Sequence, residues 1–246
     1  MPLLEEFESS GNWLFRWRSY LPLLLLALVF PGFEHFRYPF GSHFLDEIWE
    51  IVCVGVSFCG LCVRALTIGY APRRTSGRNT KEHIADELNT TGMYSVVRNP
   101  LYLGNFLMFM GVMLFLRAWW MPLIYLLVFM LYYERIIFAE EMFLRRKFGE
   151  AYLEWATKTP AFVPRLRRWR KPSLRFSWRT VVRREYHGAF AVLIADFALD
   201  ALSEIYLGHG FVADTMWRYI LGGGVLAYVV IRILHKYTRL LSDPGR

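Results

Sequence analysis

Apolar stretches of nearly helical-span length recur along the chain, with the charged residues gathered between them. A membrane core of about 30 Å needs about 20 apolar residues in helical form, so this alternation predicts membrane helices rather than a soluble core. Six are expected: Trp13 to Phe33, Ile48 to Ala71, Pro100 to Leu116, Ala118 to about Phe138, Gly188 to Leu207 and Trp217 to Leu234. The third and fourth form a hairpin turning at Arg117 beside Trp119 and Trp120, each arm slightly short of a full crossing. From Glu140 to Thr157, Leu144, Phe148, Tyr152 and Trp155 recur at spacings of four, four and three, which predicts an amphipathic helix at the membrane surface that Pro160 and Pro164 end. The expected fold is all-α and polytopic, with about six transmembrane helices, a helix-hairpin core and a cytoplasmic amphipathic helix. Its parts are residues 1–71 (the first two helices), 72–164 (loop, hairpin and amphipathic helix), 165–185 (a basic interfacial linker) and 186–246 (the last two helices).

Composition alone, with 55% hydrophobic and 17% aromatic residues, fits either a large soluble domain or a polytopic protein; the distribution decides. The formal net charge of +8 speaks to orientation before it speaks to a polyanionic partner. Nearly all loop Lys and Arg fall on the side that holds both termini, the loop 72–99 and the region 140–186, while the opposite loops hold little beyond Arg37 and Arg117. The positive-inside rule then makes both termini cytoplasmic in a bacterial inner membrane. Arg16 and Arg18 precede the first apolar run as in a signal peptide, but no small-residue cleavage pattern follows, so a retained helix is expected. The basic run Arg165 to Arg184, interleaved with Leu166, Trp169, Leu174, Phe176 and Trp178, suits anionic lipid headgroups; no nucleic acid is expected beside membrane helices. Cys53, Cys59 and Cys62 lie together in one apolar segment with no ligand cluster, and no metal is expected.

Charges inside helices ask for partners. Arg64 either snorkels to the headgroups or pairs with an acid in the bundle. Asp196, Asp200 and Glu204 share one face of the fifth helix; they either line a polar cavity or ion path, or pair with Arg64, Arg218 or Arg232. Gly222-Gly223-Gly224 would permit close packing of the sixth.

Chemistry concentrates where a polar loop meets the hairpin. Pro100 suits a first helical turn, and the unpaired N–H groups there favour an anion. Gly92, Tyr94, Arg98, Asn99, Pro100, Tyr102 and Gly104 precede the hairpin, and Glu140, Glu141, Leu144, Phe148, Gly149 and Tyr152 follow it. This pair of motifs resembles the membrane-embedded methyltransferase family of isoprenylcysteine carboxyl methyltransferases and phospholipid methyltransferases. Asn99 stands where that family usually has histidine, and an amide cannot act as a base near neutral pH.

The resemblance implies S-adenosylmethionine held at the cytoplasmic end of the hairpin. Arg98 and the helix start at Pro100 would take its carboxylate, Glu140 or Glu141 its ammonium, and Tyr94, Tyr102 and Tyr152 its adenine or sulfonium, with Gly92 and Gly104 completing the motif. The loop around Arg78, and Leu88 to Gly92, further resembles bacterial members that methylate the phosphate of lipid A. Arg73, Arg74, Arg78, Asn79 and Lys81 are the candidate acceptor-binding residues, with Arg78, Arg98 and Asn99 the candidate catalytic ones. An oxyanion acceptor needs no general base, which suits Asn99. A prenylcysteine carboxylate is the alternative acceptor, and a transporter or scaffold built on the acidic stripe is the alternative without catalysis.

Overall fold

A computed structural model describes residues 2–21, 24, 27, 29–33, 36, 41–72, 75, 83–208, 210 and 215–243. Arg73, Arg74, Arg78, Asn79 and Lys81, and with them most of the expected acceptor loop, lie outside the described residues, as does Arg37. The described architecture is all helical: α1 (Leu3–Trp17), α2 (Val29–Phe33), α3 (His43–Tyr70), α4 (Pro100–Phe115), α5 (Trp120–Phe148), α6 (Glu150–Lys158), α7 (Trp178–Tyr206) and α8 (Thr215–Tyr237). Among these, α3, α5 and α8 are long and apolar enough to cross a membrane, and α4 is a shorter apolar helix.

Three expectations are corrected. The first apolar run is not one α-helix from Trp13 to Phe33: α1 starts ten residues earlier and ends at Trp17, and α-helix resumes at Val29. A proline at position 22 brings no N–H to a helical ladder, which disfavours one continuous helix there. The second correction concerns α5, which does not stop near Phe138. Its charges at Glu140 and Glu141 break no hydrogen bond, and the helix runs on to Phe148, where Gly149 at φ 53° turns the chain into α6. Thirdly, α7 begins at Trp178 instead of Gly188, because the Ser177 hydroxyl accepts from Thr180 N and caps the start.

Arg18 lines a cavity at one end of the bundle, whereas Gly32 meets Leu116 and Met121, and Phe33 stacks on Tyr206, at the other. There Arg117, at φ 56° in the hairpin turn, pairs with Asp46 at the start of α3 and lies over the Phe36 ring. The main core lies between α4 and α5: Phe115, Leu116, Met121, Tyr125, Phe129, Tyr133 and Ile136 are buried together. α3 crosses α4 with backbones almost touching, and α8 rests on α7 with much of its apolar surface outward. That exposure suits a hydrocarbon surrounding.

Candidate active site

The loop before α4 owes its shape to a belt that the chain lays over it from the end of α6 onward. Gly92 sits at φ 59°, and its N–H donates to Arg170 O at 2.9 Å. The Ser95 hydroxyl donates to Gly92 O at 2.6 Å and accepts from Arg170 N at 2.9 Å. Farther along, Trp155 Nε1 donates to Tyr94 O, Arg98 N to Pro160 O and Arg165 N to Val96 O, at 3.0, 2.9 and 2.9 Å. Met93, Val96, Val97 and Leu103 bury their side chains beneath this belt, with Val63 and Phe162 packed against them.

The same belt engages two of the expected catalytic side chains. Arg98 Nη1 donates to Ala156 O at 2.9 Å, and Asn99 Nδ2 donates to Ala161 O at 3.0 Å. The Asn99 amide therefore fastens a neighbouring segment, a task that a hydrogen-bonding side chain without acid–base character performs well.

Inside lies a cavity of about 390 Å³, within the roughly 300–1,000 Å³ range of small-molecule sites. Tyr94, Arg98, Asn99, Pro100, Tyr102, Glu140, Glu141 and Tyr152 all line it. Gly92 and Gly104 do not: the first supplies the turn, and the second lets α3 approach, since a Cβ there would stand 2.4 Å from Arg64 Cγ and 2.9 Å from Gly60 O.

The charges are divided differently from the expected scheme. Arg98 Nε pairs with Glu141 Oε1 at 3.0 Å, so these two compensate each other instead of facing opposite ends of a ligand. Glu140 Oε2 accepts from the Tyr102 hydroxyl at 2.8 Å and keeps its carboxylate on the cavity wall. The Tyr152 hydroxyl lies beside Glu141 without a well-formed hydrogen bond. Burial, then the neighbouring carboxylates, push the Tyr152 hydroxyl well above the usual tyrosine range, and burial with Glu140 does the same to Tyr94. Both stay neutral donors. A cavity with one carboxylate held by a hydroxyl, one compensated ion pair and aromatic walls fits a small ligand carrying an ammonium group and a flat ring.

Several lining residues were not singled out from the sequence. Phe15 and Arg18 come from the end of α1, His83 and Asn89 from the loop before the motif, Asn105 and Tyr133 from the hairpin, and Arg184 and Glu185 from α7. Arg64 points into the bundle: its Nε and Nη2 meet the two Glu185 oxygens at 2.6 and 2.8 Å, and Nη1 donates to Asn105 Oδ1 at 2.6 Å. Its partner is thus not one of the acidic-stripe residues. Glu185 was hidden in a basic run read as linker, and its only signal was Arg64, for which pairing with an acid in the bundle was one of two readings. Among the described residues, no group of three His, Cys, Asp or Glu side chains is disposed to hold a metal ion.

Comparison with known proteins agrees with the motif resemblance. Residues 74–151 match the phospholipid methyltransferase family model. The nickel-cobalt-cadmium resistance protein NccN of Alcaligenes xylosoxydans xylosoxydans is 32% identical over 162 residues, 64% of this chain and 67% of that protein. Protein-S-isoprenylcysteine O-methyltransferase of Schizosaccharomyces pombe is 27% identical over 133 residues, 52% of this chain and 55% of its own length. The cobalt-zinc-cadmium resistance protein CzcN of Cupriavidus metallidurans is 31% identical over 159 residues, 64% of this chain and 66% of that one. The chain thus spans between 55% and 67% of the length of these relatives. No solved structure matches it. With two motifs flanking an apolar hairpin, a cavity between them and these matches, the chain belongs to the membrane methyltransferase family of phospholipid methyltransferases and protein-S-isoprenylcysteine O-methyltransferases.

Proposed function

We propose that this protein transfers a methyl group from S-adenosylmethionine to an anionic oxygen of a membrane lipid, with a lipid A-type phosphate as the leading acceptor. The observation that carries this reading is the cavity bounded by Tyr102–Glu140 on one side and Arg98–Glu141 with Tyr152 on the other. S-adenosylmethionine would supply an electrophilic methyl group. Glu140 is suited to its ammonium group, and Tyr94, Tyr102 and Tyr152 to its ring and sulfonium. Arg98, already beside Glu141, retains further N–H groups for a carboxylate.

An oxyanion acceptor is favoured over an amine because it arrives deprotonated. Tyr94 and Tyr152 are held neutral, and Asn99 is an amide, so none of these three offers a base near neutral pH. Catalysis then rests on orientation and exclusion of water. Arg73, Arg74, Arg78, Asn79 and Lys81 are proposed to hold the acceptor phosphate, with anionic lipid headgroups gathered by the basic run 165–184. The protein is proposed to lie in the bacterial inner membrane with the cavity and both termini on the cytoplasmic side. A prenylcysteine carboxylate is the second reading, favoured by the matching isoprenylcysteine O-methyltransferases.

Cells expressing the protein should accumulate a phosphorylated lipid heavier by one methylene unit, seen by lipid mass spectrometry. Glu140→Gln should abolish that product and weaken S-adenosylhomocysteine binding by at least about tenfold in calorimetry, a charge-assisted hydrogen bond being worth about 1.5–3 kcal/mol. Labelled methyl groups appearing only on a prenylated peptide would rule out the phosphate acceptor. Absence of any cofactor binding would rule out the enzyme.

A further inference from the structure

We propose that the belt over the motif loop, from the end of α6 to the start of α7, docks by its outer face on anionic headgroups of the bilayer that holds the protein, and that this docking tightens the cofactor cavity. The effect on the cavity rests on reading it as the methyl-transfer site; the docking does not.

The charge is written in the sequence. Between Glu154 and Glu185 there is no acid, and Arg165, Arg167, Arg168, Arg170, Lys171 and Arg179 are all exposed. Two carboxylates at the margins of the belt are already engaged: Glu154 pairs with Lys158 at 2.6 Å, and Asp243 accepts from the Ser177 hydroxyl. Positive charge alone would follow from orientation. What sets this stretch apart is the apolar surface between the charges: Leu166 is 72% and Trp178 71% exposed, and Val163, Trp169 and Leu174 are exposed with them. Such side chains gain nothing from water, whereas basic residues interleaved with aromatic and aliphatic ones suit a charged headgroup layer over acyl chains.

The depth of the belt agrees. α3 has 28 residues, about 42 Å at 1.5 Å each, the thickness of a bilayer with its headgroups, about 40–45 Å. The belt is fastened to the last residues of that helix, at the cavity end. Ser177 N donates to Gly69 O at 2.9 Å, and the Phe176 ring packs edge-on against Tyr70 with centroids 5.0 Å apart. An added Cβ on Gly92 would meet both Pro172 and Tyr70, at 3.2 and 4.0 Å. A spanning helix of that length ends among the headgroups, and the segment fastened to its end lies there with it.

The inner face of the belt leads to the cavity. Tyr94, Arg98 and Asn99 line it, and each is held from the belt: Trp155 Nε1 donates to Tyr94 O, and Arg98 and Asn99 donate to the carbonyls of Ala156, Pro160 and Ala161. A segment held on both faces samples fewer conformations than one held on a single face. Docking therefore restrains these three residues before a ligand arrives, and the ligand has less order left to impose.

The test places the full chain in lipid nanodiscs of phosphatidylcholine alone or of an equal mixture with phosphatidylglycerol. Two readouts are taken: amide exchange of residues 92–99 and 160–172 by mass spectrometry, and the Kd for S-adenosylhomocysteine by calorimetry. The mixed discs should slow exchange in both stretches and lower the Kd by at least about fivefold, the worth of one basic residue at an anionic surface. Arg167→Gln combined with Lys171→Gln should remove most of both responses. Lys236→Gln combined with Arg239→Gln, exposed at and just beyond the end of α8, should keep them. Thermal unfolding shows that each variant is folded. Exchange indifferent to lipid charge overturns the inference. So does a response that Arg167→Gln with Lys171→Gln retains in full, which assigns the anionic lipid to the cavity, or one that glycerol phosphate reproduces in phosphatidylcholine discs, which assigns it to a free anion. Slowed exchange with an unchanged Kd overturns the effect on the cavity. Absence of any S-adenosylhomocysteine binding would instead refute the methyl-transfer reading, and the exchange arm still decides the docking.

Discussion

His83 lies between α1 and α5, its ring centroid 4.0 Å from that of Phe15 and 5.5 Å from that of Phe143, with Nε2 3.1 Å from Asn12 Oδ1. Since that amide oxygen can only accept, Nε2 carries the proton of a neutral ring. Burial, helped by the cations Arg18 and Arg146 and opposed by Glu8, brings its pKa down to about 4 from an ordinary 6.5. A residue whose folded pKa is depressed binds fewer protons folded than unfolded, so its contribution is complete above about pH 6.5 and falls away as the pH drops toward 4. Glu8 is held below its ordinary 4.5, chiefly by the hydrogen bond from Arg146, so its own loss comes only beneath that value. The window between is that of His83. The protection factors of the α1 amides, corrected for the intrinsic pH dependence of exchange, should be high at pH 7 and fall between pH 6 and 4.5, and His83→Gln should flatten that dependence; pH-independent protection of α1 would refute it. Nothing local marks His83 in the sequence, because its chemistry comes from two aromatic rings remote along the chain.

At the scale of elements, the α3–α4 crossing depends on glycines and the α7–α8 contact far less so. A Cβ at Gly60 would stand 2.5 Å from Gly104 O and 2.6 Å from Met108 N, and one at Gly111 would stand 2.1 Å from Ser57 Oγ and 2.4 Å from Cys53 O. Neither backbone can yield without separating the helices. Gly60→Ala or Gly111→Ala should therefore cost roughly 1–3 kcal/mol, read as a lowered thermal midpoint in detergent. Gly222 and Gly223 meet nothing within 4 Å, and only Gly224 faces α7, through Leu193. Alanine at 222 or 223 should be neutral or stabilise by up to about 1 kcal/mol through helix propensity. The sequence showed a run of three glycines and suggested close packing for all of them. It could not tell which faced a neighbour, because that depends on helix rotation. It placed α3, α4 and α8 within a few residues, since long apolar runs and Pro100 are local signals. α1 was less legible. Its buried Gly11 and Phe15 look like nothing in particular until α5 is beside them. The charges of Glu140 and Glu141 were read as a helix boundary, whereas they lie on a continuous helix facing a polar cavity.

Taken as a whole, the molecule joins its C-terminal helix pair to α3 and α4 through apolar packing that brings Leu199 into the main core, through Ser177 N donating to Gly69 O, and through one ionic contact. Arg64 on α3, Glu185 on α7 and Asn105 on α4 meet at the cavity wall, their bonds 2.6–2.8 Å long, with the Glu185 side chain only 6% exposed. An ion pair so placed adds little net stability compared with apolar residues of the same size, because both charges had to leave water. Breaking it from one side is another matter. Arg64→Leu leaves a buried carboxylate uncompensated and should cost about 3–5 kcal/mol, whereas Arg64→Leu with Glu185→Leu should recover most of that loss. The comparison is made by thermal unfolding in detergent, with limited proteolysis of the segment leading into α7 reporting whether that helix stays docked. If the double variant retains the stability of the unaltered protein but loses methyl transfer, the pair serves the site and not the fold, as its position on the cavity wall suggests. Should Arg64→Leu alone prove neutral, the contact is not what fastens α7 to the core, and the Phe176 ring packed against Gly69 and Tyr70 at the end of α3 becomes the stronger anchor.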